Sequence, residues 1–204
     1  MVLQYVMKQA FKKVVRKMAK SDWKNCNISI EHSDTYEEDC ITLPIHGETE
    51  LNTQRKMNNA FHNAVSLLKD AMNVSSNSRL ILCSLSCELF IKAIILKTQN
   101  KTVRGHDLHE LYFKLGQGEQ NHLIDSFIIR NIRDNKEIDT SKIDDLVDAF
   151  ESSLMLDACL FETIRYKHEY STMVYDEAFI YNFALDLKGL SCALGFVENS
   201  IHKN

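Results

Sequence analysis

The stretch RLILCSLSCELFIKAIILK, at residues 79–97, constrains the fold more than any other feature of the chain. Wound as an α-helix, it is apolar on nearly every side, and a helix of this kind is buried at the centre of a core. The chain also has only one Pro and six Gly in 204 residues, which favours long helices over a turn-rich β fold. We therefore predict an all-α helical bundle.

Helical periodicity extends to both sides of this central segment. Apolar residues recur at three- and four-residue spacing, and Asp107 with Glu110 matches a capping box that starts a short helix. The remaining predicted helices lie at about 53–72, 108–115, 119–132, 142–168 and 176–197. Residues 51–204 are thus predicted to form one bundle of four to five main helices.

Residues 1–50 differ from the bundle and are predicted to form a separate N-terminal piece. Residues 2–19 match an amphipathic helix whose polar face carries Lys and Arg but no acid. Such a helix can lie on a membrane or on RNA, or it can pack on the bundle with its lysines in water. The short β-branched runs NISI and CITLPI then suit an irregular piece or a small β-hairpin.

Composition limits the compartment and the partners. A net charge of −4 excludes a polycation built to coat nucleic acid. No apolar run reaches the roughly 18 residues of a transmembrane helix, and the first 20 residues lack the apolar core of a signal peptide. Four of the six cysteines lie in apolar helical runs, where a reduced Cys acts as a small hydrophobic residue. We expect a cytoplasmic protein.

Two charged residues interrupt the central helix. Glu88 and Lys92 are four residues apart, and burying either charge without a partner costs several kcal/mol. One solution is that they pair with each other. The other is that Glu88 reaches across the bundle to Arg165. The pair could either fix the register of the core or belong to a functional site.

The segment GHDLHEL offers His106 and Asp107 as further polar candidates. A metal site needs three or four convergent ligands, and this spacing does not supply them. The Cys83–Cys87 pair has no second clustered pair to complete a site. Phosphate-binding loops, nucleophile elbows and dinucleotide motifs do not occur in the sequence. We predict no metal and no cofactor, with Asp107 as a helix cap and His106 packed or bonded to a neighbouring element.

Chemistry-bearing side chains are densest in FETIRYKHEYS, residues 161–171. In a continuous helix, Glu162, Arg165 and His168 would share one face. Arg can hold a phosphate bidentately, and His can transfer a proton near neutral pH. Arg165 and His168 therefore suit metal-free cleavage of RNA by its own 2′-OH, while Tyr166 and Tyr170 can stack or hydrogen-bond.

The same residues also have a structural interpretation. Arg165 can be a buried ion-pair anchor for Glu88 or Glu162, and His168 a cation favoured by the negative end of a helix. Sequence alone does not decide between the two interpretations, because two residues at helical spacing are a weak signal.

The order of SCELFIKAIIL, GHDLHELYFKL and FETIRYKHEY resembles the HEPN-like helical domains. The resemblance covers about residues 51–197 and implies a helical bundle that often forms a two-fold dimer. It implies that Glu88, Lys92, His106, Asp107 and Arg165 are the structural signature of the fold. Members include metal-independent endoribonucleases of toxin, defence and RNA-processing systems, and non-catalytic proteins that bind nucleotides or partner proteins.

Two functional hypotheses follow from the resemblance and the residues. The first is an RNA-directed homodimer, including a ribonuclease that uses Arg165 and His168 at or near the dimer cleft. The second is a non-catalytic module for a nucleotide or a partner protein, in which those side chains only hold helices together. The ribonuclease members place their Arg and His further apart than the two intervening residues found here.

Overall fold

The computed structural model describes residues 50–134, 143–158, 160, 164 and 175–198. Within these ranges the chain forms six α-helices and no β-strand, which confirms the predicted all-α bundle. Five helices are long and α3 is short: α1 Glu50–Ala71, α2 Ser76–Gln99, α3 Leu108–Phe113, α4 Gln117–Asp134, α5 Ile143–Leu156 and α6 Glu177–Ala193. The helix predicted at 2–19 and the hairpin predicted within 24–50 lie outside the described residues.

Helix α2 is the central element, as its sequence predicts. It packs along α1 on one side and along α6 on another, and it also contacts α3. Its residues Phe90, Ile91 and Ile94 are fully buried. Burying each such side chain contributes roughly 1.5–3 kcal/mol, so this helix supplies a large part of the hydrophobic stabilisation.

A cluster of aromatic rings joins α4, α5 and α6. Phe150 of α5 lies 5.5 Å from the ring of Phe127 and 5.7 Å from that of Phe179, both edge-to-face. Phe179 stacks in turn on Phe183, one turn further along α6. Because these edge-to-face pairs are favourable beyond their burial, the cluster helps to hold α4, α5 and α6 together.

The connection between α2 and α3 turns the chain sharply at two points. Asn100 ends α2 in the left-handed conformation, with φ of 52°, and its N–H donates to the carbonyl of Leu96. Gly105 has φ of 99°, a value that side chains with a Cβ rarely adopt. The side chain of Gln99 donates to the carbonyl of Lys114 at 2.7 Å, so the ends of α2 and α3 are held together.

The helix predicted over 142–168 is interrupted in the structure. Helix α5 ends at Leu156, Asp157 and Ala158 form a turn, and Leu160 and Ile164 are helical again. Two tertiary hydrogen bonds explain the ending: the Ala158 carbonyl accepts the N–H of Leu108 at 2.9 Å, and the Asp157 side chain accepts the N–H of Asp176 at 3.1 Å. Sequence periodicity does not report such long-range bonds, so the prediction of one continuous helix was wrong.

Candidate functional site

Glu88 on α2 is the centre of the best-defined polar cluster. Its carboxylate is buried, with Oε1 2.7 Å from Nζ of Lys92 and Oε2 2.9 Å from Nδ1 of His106. An unpaired carboxylate at this depth would cost several kcal/mol, and the two contacts replace the lost hydration. Glu88 is therefore tied both to its own helix and to the segment that leads into α3.

His106 connects the buried carboxylate of Glu88 to the protein surface. A carboxylate only accepts hydrogen bonds, so Nδ1 of His106 holds the proton that is shared with Glu88. In the neutral ring, Nε2 is then the basic nitrogen. The His106 side chain is 55% exposed, whereas that of Glu88 is 9% exposed. The ring is thus held in one orientation at the surface, an arrangement that suits a hydrogen bond or proton exchange with a ligand.

Asp107, next to His106, has a separate task. Its carboxylate accepts the backbone N–H of Glu110 at 2.9 Å and so caps the first turn of α3. The following residue, Leu108, donates its N–H to Ala158 at the end of α5. Asp107 therefore fixes where α3 begins, and through that start it fixes the position of His106.

Basic residues are concentrated in the segment that ends at His106. Residues 89–106 contain four Lys or Arg and no Asp or Glu, in a chain whose net charge is −4. Lys101, Arg104 and His106, on the connection between α2 and α3, are all exposed, and we call these three residues the basic rim. Lys97 is also exposed, but its ammonium lies over the ring of Phe196. Our sequence analysis did not single out this rim. A count of charge in a sliding window would have found it.

Five of the residues predicted for the site lie outside the described part of the chain. They are Glu162, Arg165, Tyr166, His168 and Tyr170. The predicted contact between Glu88 and Arg165 and the predicted pairing of Arg165 with His168 therefore stay predictions. The structure does bring Glu88, Lys92 and His106 together, and it places Asp107 beside them as a cap.

A second buried carboxylate, Asp157, was not predicted from sequence. It is fully buried, Oδ1 accepts the N–H of Asp176, and Oδ2 has no hydrogen-bond partner in the structure as described. Burial raises the pKa of Asp157 to about 7; the N–H of Asp176 opposes this rise and the Asp176 carboxylate adds to it. A lone Asp behind an apolar run gives no sign of this environment, because the environment comes from α6.

An open cleft of about 610 Å³ lies at the N-terminal end of α2. It is lined by Met72, Arg79, Glu177, Ala178 and Tyr181. Arg79 and Glu88 are nine residues apart on this helix, or about 14 Å along its axis. The Arg79 guanidinium donates to the carbonyls of Ala71 and Val74 and contacts Glu177. Its bonds close the turn between α1 and α2, so the cleft has a structural explanation.

The buried thiols have no sign of reactivity. Burial raises the pKa of Cys83 to about 11 and that of Cys87 well above its ordinary value. A thiol of this kind stays protonated and packs as a small hydrophobic residue. This agrees with the interpretation of both residues as part of the core.

Metal-binding and membrane-spanning features were also sought in the described ranges. No group of three or more His, Cys, Asp or Glu residues there is arranged to hold a metal ion. Nor does any helix in those ranges combine the length and the apolar character needed to cross a membrane.

Comparison with known proteins adds no relative. No protein-family model, no curated protein and no solved structure matches this chain. The resemblance to HEPN-like domains therefore rests on the order of three sequence motifs, and it stays a prediction.

Proposed function

We propose that this chain is an RNA-directed protein of the HEPN-like kind that binds RNA at the basic rim. The observation that carries the proposal is the exposure of Lys101, Arg104 and His106 on the one connection between α2 and α3, where His106 is held by the buried carboxylate of Glu88. Such a cluster on an otherwise acidic protein attracts phosphates, and Arg in particular can hold one bidentately.

The orientation of His106 supports the same proposal. Its Nδ1 is occupied by Glu88, so the ring presents a fixed edge to a bound phosphate or 2′-OH instead of rotating freely. A side chain that is already held in one orientation loses less conformational entropy when a ligand binds, so binding costs less free energy.

A ribonuclease activity is the further part of this proposal. It assigns phosphate stabilisation to Arg165 and proton transfer to His168, as the sequence pattern indicates, and it needs no metal ion. By resemblance, the active form is a homodimer with the two sites near the dimer cleft, and the buried cysteines suit the reducing cytoplasm. Light scattering on the purified chain tests the dimer separately from the chemistry.

A non-catalytic module for a nucleotide or a partner protein is the second candidate. The observation that favours it is the closed pairing of Glu88, whose two oxygens are both engaged by Lys92 and His106. A network of this kind can serve only to hold α2 against the segment before α3.

RNA binding is tested with a labelled RNA and the double variant Lys101→Glu/Arg104→Glu. We expect this variant to weaken binding at least tenfold and to flatten the salt dependence, because each lost phosphate contact lowers the salt slope by about one unit. The matched control is Arg55→Glu/Lys56→Glu, which reverses two exposed charges on α1 and should leave affinity unchanged. Equal losses in both variants would reject the rim as the binding surface.

Cleavage is tested by incubating RNA in EDTA with the wild type, Arg165→Ala and His168→Ala. Loss of cleavage in both variants supports the ribonuclease assignment. Cleavage that persists in His168→Ala rejects the role of His168. An absence of cleavage by the wild type, with RNA still bound at the rim, rejects the ribonuclease activity and leaves RNA binding as the proposed function.

A further inference from the structure

One aromatic side chain of the described residues stands apart from the rest. Phe113, at the last position of α3, is 39% exposed. The phenylalanines of the core are buried instead: Phe61, Phe90, Phe150, Phe179 and Phe183. Leaving a ring in water forgoes much of the hydrophobic stabilisation that its burial would give.

Phe113 belongs to an aromatic pair on the outer side of α3. The rings of His109 and Phe113, four residues apart, lie 4.9 Å between centroids at an angle of 71°. The inner side of the same helix is occupied by Leu108, Leu111 and Tyr112, which are buried. We call His109 and Phe113 the aromatic pair. Since α3 is capped by Asp107, the position of the pair is fixed together with that of His106.

The aromatic pair lies beside the basic rim. The carbonyl of Lys114, next to Phe113, accepts a hydrogen bond from the Gln99 side chain at 2.7 Å. Gln99 is the last residue of α2, two positions before the rim residue Lys101. The start of the rim is therefore held next to the end of α3, which carries the exposed ring of Phe113.

We propose that the aromatic pair and the basic rim together form a binding surface for single-stranded RNA, in which the Phe113 ring stacks on an unpaired base. The proposal rests on the proposed function and names its substrate class. Cations that follow the phosphates, combined with an aromatic ring that stacks on bases, are the usual components of single-strand binding surfaces. A duplex keeps its bases stacked on each other, so the ring can engage only unpaired nucleotides.

Variants of the aromatic pair distinguish base stacking from a general affinity for RNA. The test compares binding of a labelled 12-nucleotide single-stranded RNA and of the corresponding duplex to the full chain. We expect Phe113→Leu, which keeps an apolar side chain without a ring, to weaken single-strand binding about 5- to 100-fold and to leave duplex binding unchanged. Phe113→Tyr should retain the wild-type affinity, because the ring is kept.

Leu51→Ala is the control, since Leu51 is an exposed apolar residue in the first turn of α1 and should not affect binding. Unfolding temperatures measured for every variant identify a change caused by misfolding, and Phe113→Tyr gives a second reading if Phe113→Leu is unstable. Unchanged single-strand binding in Phe113→Leu, with binding lost in Lys101→Glu/Arg104→Glu, overturns the stacking and leaves RNA binding at the rim intact. Equal loss of single-strand and duplex binding also overturns it. Failure of the wild type to bind any RNA rejects the proposed function itself.

Discussion

Two buried carboxylates of this bundle meet opposite electrostatic conditions. Glu88 has a cationic or hydrogen-donating side chain at each oxygen, Lys92 at one and His106 at the other. Asp157 has a single backbone N–H at one oxygen and no hydrogen bond at the other, within the described structure. Both oxygens of Glu88 are thus hydrogen-bonded, whereas, among the described residues, only one oxygen of Asp157 is. We call Glu88 the satisfied carboxylate and Asp157 the strained carboxylate.

Burial alone therefore does not decide whether a carboxylate stabilises or destabilises the folded state. At Glu88 the partners compensate for desolvation, so removing the group leaves the Lys92 ammonium without its counter-charge and His106 without its hydrogen-bond partner. At Asp157 desolvation dominates, and the nearby carboxylate of Asp176 adds to it, which raises the pKa to about 7. We therefore expect substitutions at the two sites to change stability in opposite directions.

The largest expected effect is at the satisfied carboxylate. Glu88→Ala leaves the half-buried Lys92 ammonium without its partner, and we expect it to lower the free energy of unfolding by roughly 2–4 kcal/mol. Urea denaturation at neutral pH measures the change. The control is Glu177→Ala, which removes the more exposed ion pair with Arg79 and should cost less than about 1 kcal/mol. Equal losses in the two variants would contradict the idea that Glu88 is a central junction.

The strained carboxylate should respond in the opposite sense and with pH. The pKa of Asp157 rises from 3.8 to about 7 on folding, so the folded state binds the extra proton between these values. Stability from this group is therefore full below about pH 4, falls as pH rises to 7, and stays low above it.

Asp157→Asn removes this pH dependence, because the amide keeps an acceptor for Asp176 but carries no charge. We expect the variant to be more stable than the wild type by roughly 2 kcal/mol at pH 8, and the difference to vanish near pH 4. Thermal unfolding across pH 4–8 measures it. Asp134→Asn, at an exposed carboxylate, should show no such trend. A difference that is constant with pH would show that Asp157 does not titrate in this range.

The contrast between these sites also shows what sequence can predict. Glu88 and Lys92 could be found because both partners lie on one apolar helix at a spacing that chain geometry brings together. Asp107 could be identified as a cap because capping is a local bond, and the structure contains it. The helical bundle itself follows from periodicity and from the scarcity of Gly and Pro.

What sequence could not predict depends on contacts between distant segments. Asp157 acquires its environment from Asp176 on α6, and the end of α5 at Leu156 is set by bonds to that residue and to Leu108. His106 meets Glu88 only because the chain turns at Asn100 and Gly105. No periodic pattern within a single helix encodes these long-range contacts. The Glu88–Lys92 pair was therefore predictable, whereas the contact of Glu88 with His106 was not.

Asp107, the cap of α3, links the segments that contact the two carboxylates. We expect its substitution to have an intermediate effect on the free energy of unfolding. Asp107 starts α3, whose first N–H reaches Ala158 next to Asp157, while His106 precedes it and reaches Glu88. Asp107→Ala should lower the free energy of unfolding by about 1 kcal/mol, and Asp107→Asn, which can still cap, by much less. Chemical denaturation compares the two variants. Equal losses would mean that the charge of Asp107 matters more than its cap.

We expect the smallest change in stability at His106. Its substitution distinguishes a structural role of the Glu88 cluster from a role in RNA binding. Because the His106 side chain is 55% exposed, water screens its contact with Glu88, and His106→Ala should cost less than about 1 kcal/mol. Lys92→Met, a matched change on the other side of the same carboxylate, removes the more buried partner and should cost more. For RNA affinity the order should reverse, since only His106 belongs to the basic rim. Denaturation and RNA titration on the same two proteins measure both orders. If His106→Ala were the more destabilising variant and left RNA binding unchanged, the cluster would be a structural junction alone, in line with the non-catalytic candidate.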